Sequence, residues 1–562
     1  LHDLWSNKNV AFYSNFYHIV YQPNPNWLAT FVMALLMFVV NGFIAEKIFL
    51  TAYILLFISG FYLLLKKISG INLWLLVLLL FVFPHTLAKG FYNFSFSIAF
   101  YFWVVWCWLC FLNRRNMRNG LLFFFFLTLL FFTHLLSFVF GAFTCAALLW
   151  SCAAAESNGW WRPLKSKNFI YNVGLFLFFY LPFVVLSLWF TEKQGGLQLQ
   201  LKPHLYRLIE LLEFKYAVNI THAEDLFAEI AGALLTVLFG ISLITPPVKR
   251  AIHKYDGLLL SLLFVLFVYV CFPEAYMGRL ILTAMRVQPF VFILATCCIA
   301  YRFPAGTISK KSSWTVLVCF TLVFSSCISY QCWINTTSAP GSHPLSGHIF
   351  ISAIALLVVL AFTIVFLIGN NSFDRMKIAG SMVITLCFIA LSVARFISLL
   401  KVSSATEDYL SAGLYIQPGK VVLPLDFSPE GLDGSGKKLA DRNFLFVHTA
   451  DYLGIRKPLI LQDNFEANMG YFPVSWNLKA DPYAYFNDWG GVEGTLSCAS
   501  IKNYKTTTGV AVDYVLMWCY DPVFLQNERF ARLYAEIQAD YHLVYVSQTR
   551  HTMLYALNIS RK

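Results

Sequence analysis

The sequence predicts a polytopic α-helical membrane protein with a small soluble α/β domain at its C-terminal end. Three observations carry this. Of 562 residues, 59% are hydrophobic, 18% aromatic and only 12% charged, about half the charge supply of a soluble globular protein. Apolar runs of membrane-spanning length recur from residue 27 to residue 400. The stretch 402–562 has ordinary composition, with 14 basic and 17 acidic side chains. A soluble enzyme, a disordered chain and a nucleic-acid-binding domain are excluded, and no nucleic-acid partner is expected. The 56 phenylalanines favour helices packed in lipid.

The candidate spans are 27–45, 48–65, 71–88, 93–112, 120–153, 168–190, 226–246, 257–272, 280–301, 313–331, 348–369 and 378–400. Orientation follows from charge. Residues 1–401 carry 27 basic and 12 acidic groups, the basic ones clustered at Lys66-Lys67, Arg114-Arg115 with Arg118, Arg162/Lys165/Lys167, Lys249-Arg250, Lys310-Lys311 and Arg375/Lys377. The positive-inside rule assigns all six clusters to the cytoplasm.

Two stretches then need adjusting. An even number of crossings must separate Arg118 from Arg162, so the 120–153 run divides into two short helices breaking near Thr133-His134. Interrupted backbone at that depth is tolerated only when buried in protein or lining a cavity. Segment 27–45 is read as embedded in the outer leaflet or lying at its surface, which leaves 48–65 as the true span. The expectation is about twelve crossings. A further first helix is expected ahead of Leu1, because the chain starts there without Met or signal peptide.

The domain plan is a partial first extracytoplasmic loop at 1–26, a multi-helix transmembrane domain at 27–401 with an amphipathic outer loop at 191–225, and a soluble extracytoplasmic α/β domain at 402–562. In the outer loop, Leu205, Leu208, Ile209 and Leu212 lie opposite Arg207, Glu210 and Glu213. That pattern suits a helix on the membrane surface or one packed on the soluble domain. In the tail, 421–427 and 513–520 read as strands and 442–454 and 527–538 as helices, followed by a strand pair joined by QTR. The Gly-rich 430–442 reads as a surface loop rather than a phosphate cradle. Of the 13 cysteines, eleven lie in or beside apolar segments as small buried hydrophobes. Cys498 and Cys519 can form one disulfide if the domain faces an oxidising compartment.

Charge near the outer ends of spans is costly and therefore informative. Arg279 and Arg286 are seven residues apart and share a face if one helix carries both. The guanidinium fork of Arg286 matches phosphate oxygens; the alternatives are pairing with Glu274 or snorkelling outward. Lys89 and Asn93 lie at an outer turn, among aromatics that also suit an interfacial belt. His134, at the helix break, can bond a ligand phosphate or a freed backbone carbonyl. Asp3, near the outer surface, can deprotonate an acceptor hydroxyl, or serve as an N-cap or a solvated carboxylate. No Walker A, HExxH, GxSxG or metal-spaced His/Cys cluster occurs, so no cofactor is assigned and a divalent cation stays open. Matched broken-helix halves, expected of many transporters, are not evident.

The chain resembles the GT-C superfamily of membrane glycosyltransferases, which includes protein O-mannosyltransferases and lipid A aminoarabinose transferases, and more closely its uncharacterised bacterial members. The resemblance rests on Pro25-Asn26, the helix entry Ala45-Glu46-Lys47-Ile48-Phe49-Leu50, the turn formed by Gly90, Asn93 and Phe94, and the segment with Pro273, Gly278 and Arg286. In the tail it rests on Ile416-Gln417-Pro418-Gly419, then His448 and Tyr452, then Asp463-Asn464-Phe465-Glu466. It implies inverting transfer of a sugar from a polyprenyl-phosphate donor to a glycan, lipid or protein acceptor at the outer face of a bacterial inner membrane. An acidic residue of the first outer loop would be the base, here Asp3 unless that residue precedes Leu1. Arg279, Arg286, Lys89, His134, Asn93 and Glu274 would hold the lipid phosphate and sugar. The rival readings are a non-catalytic scaffold or subunit of a surface-polysaccharide assembly system, and a lipid or solute transporter.

Overall fold

The computed structural model describes the chain apart from residues 7–8, 71–75, 78, 194–202, 205, 218–219, 245–251, 277–278, 281, 303–372, 442, 485–499 and 559–562. It divides into two compact units, Ala52–Ala394 and Leu1–Thr51 with Arg395–Lys562.

The first unit is helical. Its main elements are α1 (Gly42–Ser69), α2 (Tyr92–Asn113), α3 (Met117–Thr133), α4 (Leu135–Glu156), α5 (Lys167–Lys193), α6 (Asp225–Ile244), α7 (Gly257–Cys271), α8 (Thr283–Arg302) and α9 (Phe373–Ser411), with α1 and α9 running on into the second unit. Seven stretches of described helix, carried by all of these except α3 and α7, are long and apolar enough to cross a membrane. Hydrocarbon offers backbone groups no hydrogen-bond partner, so apolar runs of this length become helices. The chain is an integral membrane protein.

The 120–153 run is two helices, as charge parity requires. α3 ends at Thr133, His134 is extended at φ −163° and ψ 125°, and α4 begins at Leu135. α5 turns Phe178, Leu181 and Leu188 outward and sets Phe179 against Phe123 (5.2 Å between rings) and Phe183 against Phe131 (5.3 Å). Lipid tails are as apolar as Phe, so close ring packing, and not exclusion of water, holds α5 on α3. α4 and α7 touch backbone to backbone, because a Cβ at Gly257 would overlap the Ala147 carbonyl. Gly257→Ala is expected to cost about 2 kcal/mol and to lower the melting temperature of the purified protein. Gly174→Ala, with open space around its Cβ, is expected to leave that temperature unchanged or raise it.

Several expected segments differ. Segment 27–45 is a nine-residue helix, Leu28–Leu36, then a turn and the start of α1. Nine residues rise only about 13 Å, far short of a crossing. Asn41 opens α1 early by accepting from the Ile44 amide (3.0 Å), which places Glu46 and Lys47 inside the helix. Among its described residues, 71–88 holds two four-residue helices, Leu79–Val82 and His85–Ala88. Pro84 parts them, since its ring and missing N–H cannot continue the first. Spans 313–331 and 348–369 lie outside the described residues. Arg279 and Arg286 do not share a helix: Arg279 is in the hairpin Ala275–Tyr276/Arg279–Leu280, and α8 starts four residues later at Thr283.

In the second unit the sequence elements are β1 (Tyr17–Ile19), β2 (Lys420–Asp426), β3 (Leu459–Leu461), β4 (Val474–Trp476), β5 (Tyr514–Trp518), β6 (Tyr541–Val546) and β7 (Thr552–Leu557). Five of them form one mixed sheet in the order β3-β2-β5-β7-β6, with β2 parallel to both β3 and β5. One face carries Val422, Leu516 and Trp518 against Tyr409, Phe446 and Leu453. The other carries Leu423, Leu425, Val515 and Met517 against Tyr504, Leu533 and Ile537. A strand covered on both faces reads as a continuous apolar run, which is why 421–427 and 513–520 are legible as strands.

The helix expected over 442–454 shrinks to Asp451–Arg456. His448 adopts a left-handed φ of 68°, which no helix accommodates. The helices Ile501–Thr508 and Glu528–Asp540 complete the layers. Residues of the N-terminal stretch join this unit through β1, which pairs antiparallel with β4 (Tyr17 opposite Trp476). Cys519 is buried with a free thiol; Cys498 lies outside the described residues.

Candidate functional site

Within the helical unit, four predicted site residues gather near one end of α2. Asn93 is in the first turn of α2 and Lys89 closes the short helix His85–Ala88 just before it. Arg286 is in the first turn of α8, its guanidinium 5.2 Å from the centre of the Phe91 ring and 5.9 Å from that of Phe94. Phe94 in turn stands edge-on to the His134 imidazole at 4.9 Å. The charge of Arg286 also reaches His134. The break between α3 and α4 therefore sets an imidazole beside a cation already stacked on aromatic faces. His134 Nδ1 is buried and has no hydrogen-bond partner among the described residues.

The ground under this cluster is polar. Ser97 Oγ meets Ser137 Oγ at 2.6 Å and the Tyr101 hydroxyl meets Thr144 Oγ1 at 2.9 Å, all buried between α2 and α4. Such small polar residues bring membrane helices close and hold them in one register.

Glu274 takes a different partner from the one considered for it. Its carboxylate lies 2.9 Å from Nη2 of Arg207, whose side chain is fully buried, and also accepts from the Ala284 amide at 3.0 Å. Arg207 Nη1 donates to the Tyr269 carbonyl at 2.7 Å. The helix Tyr206–Leu212 thus turns Arg207 inward and leaves Tyr206 and Leu208 exposed. Its Arg207 side chain binds protein, and Ile209 and Leu211 are half-buried. Gln288 continues the network, donating to the Glu210 carbonyl (2.9 Å) and accepting from the Tyr216 amide (2.9 Å). Glu274 is therefore a brace for the loop that precedes α8. The side chain of Arg279 lies outside the described residues.

Within the second unit, Asp3 borders a cavity of about 360 Å3 that Asp451, Glu466, Asn464, Tyr13 and Tyr17 also line. His2 Nδ1 meets Asp3 at 2.7 Å, and the Tyr13 hydroxyl is hydrogen-bonded to Asp3. Behind the cavity stand His448 and Asp463, 3.8 Å apart. Asp426, at the carboxyl end of β2, accepts from the buried Tyr409 hydroxyl at 2.8 Å. The carboxyl ends of parallel strands are the usual place for a ligand in an α/β sheet.

The charges here are unbalanced, with the carboxyl groups of Asp426, Asp451, Asp463 and Glu466 about the His448 imidazole. Burial pushes Asp426 up to about 7, helped by the charge of Asp463. Burial and the same neighbour push Asp451 up to about 8, with His448 opposing. Glu466 is raised by burial. Burial works to lower His448, but the Asp463 carboxylate 3.8 Å away and the charge of Asp451 win and lift it to about 9. Groups in this state hold and exchange protons near neutrality, which is what acid–base chemistry on a hydroxyl needs. Among the described residues, no group of three or more His, Cys, Asp or Glu side chains is placed to hold a metal ion.

Of this acidic cluster only Asp3 is singled out as a site residue in the sequence. The signal for the others is the pair of short acidic stretches around His448-Thr449-Ala450-Asp451 and Asp463-Asn464-Phe465-Glu466. Composition gives them no weight, because acidic residues in a soluble domain are ordinary; only the crossover between β2 and β3 brings them together.

No protein-family model matches the chain, and no curated protein matches it. Two solved structures are similar to it, ArnT from Cupriavidus metallidurans in the apo state and the same protein bound to undecaprenyl phosphate. Both likenesses cover 96% of this chain and 89% of the other at 11% sequence identity, with TM-scores of 0.43 and 0.41.

Proposed function

We propose that the protein is a GT-C-type glycosyltransferase that moves a sugar from a polyprenyl-phosphate donor to an acceptor hydroxyl on the extracytoplasmic face of a bacterial inner membrane. The observation that carries the reading is Arg286, a cation held on two aromatic faces beside the interrupted backbone at His134, in a body otherwise built of apolar helices. The guanidinium fork matches phosphate oxygens, and a lipid-linked phosphate supplies both those oxygens and an apolar tail suited to the surrounding helices. Lys89 and Asn93 extend the same cluster toward the phosphate and sugar, and Arg279 joins them on this reading. The far end of α2 is basic, which supports an outward-facing Arg286 by the positive-inside rule.

In the reaction the acceptor hydroxyl gives its proton to the Asp3 carboxylate while its oxygen attacks the anomeric carbon. The bond from that carbon to the phosphate oxygen breaks, the configuration inverts, and polyprenyl phosphate leaves. Arg286 stabilises the charge that develops on the leaving phosphate. His134 positions that phosphate, and Glu274 holds the loop ahead of α8 through Arg207. The cavity at Asp3 supplies carboxylates that accept from the hydroxyls of a glycan, lipid or protein acceptor.

The test is turnover by the purified protein in proteoliposomes with labelled polyprenyl-phosphate sugars. Asp3→Asn is expected to lower kcat by about a thousandfold, the range of a lost general base, with the donor KM little changed. An unaltered rate removes Asp3 from the mechanism.

A further inference from the structure

At the opposite end of α2 lies a second cavity, of about 250 Å3, to which no role attaches in the reading above. It is lined by Lys67 from the last turn of α1, by Arg114 from the α2–α3 connection, by Arg118 from the first turn of α3, and by Trp106, Cys110 and Leu122 among its apolar walls. Among the described residues no acidic side chain lines it. Asp256 pairs with Arg302 at 2.9 Å. Its neighbour Tyr255 reaches this end by donating to the Lys67 carbonyl at 2.8 Å.

The connection between α2 and α3 is built and not loose. Asn116 caps α3 by accepting from the Asn119 amide at 2.8 Å, while the Asn119 side chain donates to the Arg114 carbonyl at 2.8 Å. Arg115 points elsewhere, to Asn168 at 2.7 Å. The first-turn amides of α3, a helix of 17 residues, add their positive end to the same place.

Three cations, a helix start and an apolar floor make an amphipathic anion site. Positive charge alone at this end needs no explanation beyond topology, but a cavity walled by Trp106 and Leu122 does. Beside Leu122 on α3, Leu121, Phe124 and Phe125 are exposed, so apolar surface is available on the same helix as the cavity wall. We infer that this cavity binds the phosphate headgroup of an anionic membrane lipid, with the acyl chains leaving along α3. Basic pockets between membrane helices recognise lipid phosphates in this way. The inference does not depend on glycosyl transfer.

The test uses the full-length protein in nanodiscs of phosphatidylglycerol or phosphatidylcholine, followed by native mass spectrometry of retained lipid. Phosphatidylglycerol is expected to be retained at least about tenfold over phosphatidylcholine, given about three cations at the site. The triple variant Lys67→Gln, Arg114→Gln, Arg118→Gln loses that preference, and Arg162→Gln keeps it. Equal retention of the two lipids, or an unchanged preference in the triple variant, overturns the assignment; so does release of the lipid by millimolar inorganic phosphate, which would mark a soluble-anion site. Should the triple variant fail to fold, peptide-resolved thiol labelling of wild-type Cys110 decides. Slower labelling in phosphatidylglycerol than in phosphatidylcholine supports the site, and equal labelling overturns it.

Discussion

Arg286→Ala is expected to lower kcat/KM for a polyprenyl-phosphate sugar by about a hundredfold or more. One charge-assisted pair between guanidinium and phosphate, in a site walled by protein and lipid, is worth on the order of 3 kcal/mol to the transition state, and each 1.4 kcal/mol is about tenfold in rate. Arg286→Lys is expected to fall between, roughly tenfold below wild type, because the ammonium keeps the charge but loses the fork and the stacking on Phe91 and Phe94. In both variants the backbone amide of residue 286 keeps its bond to the Leu282 carbonyl at 3.1 Å. Steady-state kinetics alongside thermal melting of the same preparations separates loss of function from loss of fold. An unchanged rate in Arg286→Ala sinks the assignment.

The α/β domain is expected to become less stable as the pH rises from about 5 to about 9. Asp426 and Asp451 keep their protons in the folded state up to about 7 and about 8, against 3.8 for an ordinary aspartate. The folded state then binds more protons than the unfolded one, so their contribution is complete below 3.8 and is lost as the pH climbs through those folded values. His448 adds to the same slope: raised from 6.5 to about 9, it contributes fully below 6.5 and is spent near 9. The groups facing these are Asp463, Glu466, Tyr409 and Tyr17.

A soluble domain with paired carboxylates does the reverse and weakens in acid. Asp426→Asn keeps the bond from Tyr409 without the buried charge, and is expected to flatten the slope by stabilising the domain at pH 8 more than at pH 5. Hydrogen exchange of β5 in the full-length protein, followed across this range, reports the effect. Protection that grows with pH, or equal slopes in both proteins, contradicts the account.

The helical body was largely legible in the sequence because hydrocarbon leaves the backbone a single solution for a long apolar run. The break at His134 is the clearest case: the count of basic clusters demanded an extra turn, and Thr133-His134 was the polar place for it. The charges of the Tyr206–Leu212 helix were visible too, but their direction was not. Arg207 turns in because Glu274 and the Tyr269 carbonyl, far away in sequence, are there to meet it.

Segment 27–45 does not cross, as charge parity suggested, but its end was misplaced because hydrophobicity does not register a cap, and Asn41 starts a helix inside an apolar run. In the α/β domain, strands covered on both faces announced themselves by continuous apolar residues, whereas the 442–454 helix was lost to the left-handed His448. The acidic cluster escaped because Asp426, Asp451 and Asp463 are distant in sequence, and the crossover that joins them has no local signature.

The most direct test of the central claim is equilibrium binding of radiolabelled undecaprenyl phosphate to the detergent-purified protein. Saturable binding is predicted for wild type, weakened about a hundredfold by Arg286→Ala and untouched by Lys67→Gln at the other end of α2. Equal binding by wild type and Arg286→Ala, or none by wild type, would contradict the claim that this protein grips a lipid-linked phosphate at Arg286.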